Sequence, residues 1–162
     1  MQNFLIVFLG LLLFLGTSCG VQSHYSIVIA ELEEDRIQLV APEGAVLEKI
    51  DRFVSQNSEL EPAYTGLEIV HSGELYRLIA FDENNRLTTA ITLIEDGGKL
   101  YERNDHGGYA ITCSGCLSAG DESEENCTPQ QEGLDQPAYC SDCSRGDCTK
   151  TVTKSDHGVI GN

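Results

Sequence analysis

The sequence predicts an α+β protein: one amphipathic helix packed on an antiparallel β-meander, followed by a Cys-rich, loop-rich C-terminal module. Three observations predict it. One stretch alone, from Pro42 to Val54, carries apolar residues at helical spacing. Short apolar runs on either side of it are separated by clusters of Gly, Asn and Asp. Residues 114–148 hold only Leu117 and Leu134 as branched apolar side chains, so cysteine cross-links must replace a core there.

Taken in order, residues 25–30 read as a strand with Tyr25, Ile27 and Ile29 on one face. Glu33, Glu34 and Asp35 make a turn, and residues 36–40 return as a second strand. Pro42 opens the helix, because a first-turn residue has no intrahelical partner for its N–H. Val46, Leu47, Ile50, Phe53 and Val54 then share a face, opposite Glu43, Glu48, Asp51 and Arg52. Asn57 and Ser58 end the helix, and Pro62 lies in the loop beyond. Strands are expected at 67–71, 74–81, 86–95, 99–102 and 109–112. The connections, such as Ser72-Gly73 and Asp96-Gly97-Gly98, are too short for parallel crossovers and make neighbours antiparallel. This arrangement resembles the small helix-plus-sheet domains of the cystatin-like and PepSY-like families.

Ahead of this lies an almost wholly apolar run, Phe4 to Leu15, followed by Gly16-Thr17-Ser18-Cys19. Twelve residues rise only about 18 Å as a helix, short of the roughly 30 Å hydrocarbon core. The segment reads as the core of a signal peptide. Small residues directly before a cysteine resemble the relaxed lipobox of bacterial, Bacteroidota-like lipoproteins. The resemblance implies export, lipid (palmitate among the acyl chains) on Cys19, and a membrane anchor on the periplasmic side or cell surface; cleavage without lipid would give a secreted protein. The expected organisation is therefore 1–18 signal peptide, 19–112 α+β domain, 113–148 Cys-rich module and 149–162 flexible tail.

The formal charge is −16. Such a field repels nucleic acid, whose phosphates need Lys and Arg, and excludes that class of partner. No P-loop, G-x-S-x-G or H-E-x-x-H motif occurs, and no acid pair is placed for glycosidase chemistry.

The six C-terminal cysteines, Cys113, Cys116, Cys127, Cys140, Cys143 and Cys148, have the spacing C-x2-C-x10-C-x12-C-x2-C-x4-C. Even parity and export favour three disulfides, with fifteen pairings open. The alternative is zinc held by the two C-x-x-C pairs, Cys113 with Cys116 and Cys140 with Cys143, since four thiolates at such knuckles make a tetrahedral site. Thiol–disulfide exchange is a third reading, weakened because neither pair opens a helix that would lower a thiol pKa. Arg145-Gly146-Asp147 between two cysteines resembles an integrin-binding loop, and a plain turn explains it equally well. Asp105-His106-Gly107 and Asp156-His157-Gly158 repeat on either side of the module; His106 and His157 become metal candidates if the loops meet. The reading that follows is a non-enzymatic extracytoplasmic lipoprotein without a cofactor, its cysteine module a disulfide-stabilised interaction surface for an unidentified protein partner.

Overall fold

The structure is a computed structural model. It describes residues 27–34, 36–82, 84, 86–104, 107–115, 127–142 and 147–161. Strands take 51 % of the described residues and the single helix 13 %. The expected α+β class is therefore corrected: the protein is mostly antiparallel β, with a nearly closed, barrel-like sheet. The likeness to cystatin-like and PepSY-like domains falls with it. The physical reason is that the C-terminal segment adds a long strand to the main sheet instead of hanging from it.

The elements follow in the order β1 (Val28–Glu33), β2 (Arg36–Leu39), α1 (Glu43–Asn57), β3 (Gly66–Ser72), β4 (Leu75–Asp82), β5 (Leu87–Asp96), β6 (Lys99–Glu102), β7 (Gly108–Gly115), β8 (Pro129–Gln130), β9 (Tyr139–Cys140) and β10 (Cys148–Ser155). Eight strands form one sheet, and β8 pairs with β9 in a small hairpin of its own. β5 is the pivot. It pairs with β4 along Leu87 to Leu93, with β7 over Leu87 to Ala90 and with β6 over Leu93 to Asp96. β1 adds to β6, and β10 adds to β7 over eight consecutive pairs from Cys148↔Gly115 to Ser155↔Gly108. That long pairing overturns the flexible tail expected at 149–162. Its alternating Thr149, Thr151 and Thr153 suit a pleated, half-buried surface.

The sheet has two unlike faces. The inner one carries Leu78, Ala80, Leu87, Ile91, Leu93, Leu100 and Ala110, packed on Val46, Ile50, Phe53 and Val54 of α1. The helix buries the face its spacing foretold, with Leu47 partly buried at the margin. Each large side chain removed from water contributes about 1.5–3 kcal/mol, so this layer dominates stability. Pro42 stands at the helix start, while Asn57 Nδ2 and Ser58 Oγ donate back to the carbonyls of Phe53 and Val54, the second of which is among the last four that a helix end leaves open.

The C-terminal stretch closes this inner layer. Val159 and Ile160 are buried in the same cluster. The buried Glu102 carboxylate accepts the backbone N–H groups of Val159, Ile160 (2.7 Å) and Gly161 (3.2 Å). Lys49 of α1 donates to the Ile160 carbonyl at 2.5 Å. At Gly108 a Cβ would run into the His157 carbonyl and the Phe53 ring, so close backbone approach requires glycine there.

Inside the layer a hydroxyl chain crosses the sheet: Tyr64 bonds Thr89, whose Oγ1 lies 2.7 Å from that of Thr112. Burial pushes the Tyr64 phenol up to about 12, against the smaller downward pull of those hydroxyls.

Candidate functional site

The outer face of the sheet is built from the alternate residues: Arg77 on β4, Ala90 and Thr92 on β5, Tyr109, Ile111 and Cys113 on β7, and Lys150, Val152 and Lys154 on β10. Across it lies the segment 127–142 with the β8–β9 hairpin. Cys113 of β7 is bonded to Cys140 of β9, and Cys127, just before β8, to Cys148 of β10. The two ends of the hairpin are thus fastened to two adjacent strands of the main sheet. Buried Ile111, Cys113, Cys127 and Ala138 form a second, small apolar cluster beneath it.

Three cations of the sheet also hold the hairpin by its backbone. Arg77 Nη1 donates to the Pro129 carbonyl at 2.5 Å, Arg103 Nη1 to that of Leu134 at 2.8 Å, and Lys150 Nζ to that of Ala138 at 3.0 Å. Gln131 folds the loop on itself, its Nε2 donating to the carbonyls of Gly133 (2.9 Å) and Gln136 (3.1 Å). Thr92 Oγ1 donates to Gln131 Oε1 at 3.1 Å, joining sheet and loop.

Between the loop and the sheet an open recess of about 490 Å³ remains. Its floor and one wall are Thr92, Gly107, Gly108, Tyr109 and Lys154; Gln131, Leu134, Asp135, Gln136 and Pro137 form the other wall, and Arg103 stands between them. The volume lies within the range of small-molecule sites. Tyr109 offers a half-buried ring, with the Lys154 ammonium 5.4 Å from its centroid. Burial raises the Tyr109 pKa, so the phenol is neutral at pH 7. Arg103 also pairs with the exposed Asp135 at 3.6 Å. Nothing here resembles a nucleophile with its base.

Of the six module cysteines, four are placed. Cys113 and Cys140, both assigned to the zinc alternative, are joined to each other, and a disulfide sulfur is not a thiolate ligand. The sulfurs of Cys113, Cys127 and Cys140 lie within 4.8 Å of one another, so the two disulfides are neighbours. Cys116, Cys143, Cys19, His106 and Arg145-Gly146 lie outside the described residues. Gly108, just after the first Asp-His-Gly run, donates its N–H to the His157 carbonyl at 2.6 Å. His157 itself is exposed and, among the described residues, joins no group of three ligating side chains.

Sequence reasoning missed Thr92, Arg103, Tyr109, Gln131 and Lys154 as recess residues. Their only signal was the Thr/Lys alternation of β10, which marks a strand with one polar face. Among the described residues no helix is long and apolar enough to cross a membrane. No protein-family model, curated protein or solved structure matches this chain.

Proposed function

We propose that the protein is a non-enzymatic, exported binding lipoprotein, anchored to a membrane through lipid on Cys19, whose cystine-pinned hairpin and underlying sheet face form its interaction surface. The observation that carries this reading is the recess of about 490 Å³ between the sheet and a hairpin that two disulfides fasten to it. Disulfides persist in oxidising compartments, which supports export. The apolar Leu134, Pro137 and Tyr109 beside a few placed polar groups support small-ligand or side-chain recognition.

Two experiments test it. A fatty-acid probe should label wild-type cells and spare Cys19→Ala; equal labelling removes the anchor. A ligand-observed NMR screen of the oxidised protein should return small molecules whose signals vanish with Leu134→Glu, which fills the recess from an exposed position. Hits indifferent to that change would place binding elsewhere. The zinc alternative needs Cys113 and Cys140 as separate thiolates, and stoichiometric zinc in the purified protein would favour it over the disulfide reading.

A further inference from the structure

Beside the recess sits a guanidinium with an unusual balance. Arg77 is 5 % exposed, and its Nε–H has no hydrogen-bond partner. Among the described residues Arg77 takes part in no ion pair. Its one donated bond goes to a neutral carbonyl, that of Pro129. Arg77 stands directly across from Thr92 in the β4–β5 register. A chamber of about 10 Å³ adjoins it, lined by Arg77, Thr92, Gln131 and Ala138 among others. Thr92 and Gln131, hydrogen-bonded to each other, line both this chamber and the recess. One water would fit the chamber and satisfy the N–H, but it would leave the charge uncompensated.

The positions of the other cations point the same way. The chain has only 10 bases against 26 acids, yet Arg103 and Lys154 line the recess and Arg77 lines the chamber beside it. Opposing them at the recess is Asp135, which reaches solvent. Holding the hairpin explains one Nη of Arg77 and not its remaining charge. A buried cation without a counter-ion is costly, and a ligand anion is the natural compensation.

We propose that the recess binds a small organic anion, its acidic group directed to the Thr92–Gln131 pair beside the Arg77 chamber and flanked by Lys154, its apolar body against Tyr109, Leu134 and Pro137. This rests on the recess being the binding surface and adds the chemical class of its ligand. The acidic group is a carboxylate or a phosphate monoester, since both accept from guanidinium and ammonium donors.

Calorimetric titration of the oxidised full chain tests it with 4-hydroxybenzoate, phenyl phosphate, inorganic phosphate and neutral 4-hydroxybenzamide. The expected result is binding of one or both aromatic acids, with the amide weaker by roughly tenfold, the scale of a charge-assisted bond. Which acid binds more tightly assigns carboxylate or phosphate. Lys154→Gln, at an exposed position, should weaken the bound acid by roughly three- to tenfold. Arg77→Met should weaken it at least as much, and Arg77→Lys should restore part of the loss. Equal affinity of amide and acid overturns the anion assignment while leaving a binding recess. Equal loss in Arg77→Met and Arg77→Lys overturns the role of the buried charge. Inorganic phosphate matching phenyl phosphate overturns the apolar half of the site. Absence of binding by every probe overturns the proposal; the NMR screen against Leu134→Glu then decides separately whether the recess binds anything.

Discussion

The two faces of one sheet are held by different physics. On the inner face α1 and the 159–161 segment meet the strands through large apolar side chains such as Ile50, Leu78 and Leu100, all fully buried. On the outer face the covering hairpin offers a small apolar cluster, two disulfides and three cation-to-carbonyl bonds. A hydrophobic layer closes completely because its strength grows with area removed from water. A layer fastened at points can leave space between the fastenings, and the recess lies there. The contrast teaches that a poor core is compatible with a well-defined surface when covalent bonds fix it.

The largest test strikes the inner layer. Ile50→Ala should cost about 2–5 kcal/mol and lower the denaturant midpoint of the whole molecule in a single transition. A loss confined to the hairpin would break the distinction between the faces. Next comes the outer layer: Cys127→Ala with Cys148→Ala opens a cross-link of sequence separation 21 and should cost about 3 kcal/mol. Hydrogen exchange should then rise in 127–142 and leave β4 and β5 protected. Uniform loss of protection would show that the inner layer depends on the outer.

Glu102→Gln sharpens the comparison within the inner layer, where it replaces charge-assisted bonds to three backbone N–H groups by neutral ones. A loss of about 2 kcal/mol is expected, read as faster exchange at Val159 and Ile160. Within the ordinary pH range the effect of the last test vanishes, because it concerns alkaline pH alone. The Tyr64 phenol ionises near 10 when unfolded and near 12 when folded, so the folded state holds its proton longer. Its contribution is complete below pH 10 and falls as pH rises from 10 to 12, by roughly 1.4 kcal/mol per unit at most. Tyr64→Phe should flatten alkaline unfolding across that window; an unchanged slope would remove the buried hydroxyl chain from the account.

Much of the local structure was legible. Val46, Ile50, Phe53 and Val54 announced the helix and its buried side, and Lys99–Glu102 coincides with the expected strand. The Asp96-Gly97-Gly98 turn was readable because both glycines take positive φ. β10 was not read, since its core contribution is small and polar: Thr153 is fully buried and no large apolar residue lies on its inner side. Hence the flexible tail and the α+β class give way together, while the cysteine-rich C-terminal region keeps its disulfides.

Of the recess, only the cysteine framework could be foreseen. Thr92, Tyr109, Gln131 and Lys154 come from four separate stretches and share a site because β10 pairs with β7 and the hairpin folds over both. Periodicity and turn chemistry act between near neighbours, so the sequence by itself determined the helix, most strands, the acidic charge and the need for cross-links. Which cysteines pair, which face the hairpin covers and where Arg77 points depend on contacts between residues 21 to 52 positions apart. Those are decided by burial and closure of the whole chain, so only the tertiary structure shows them.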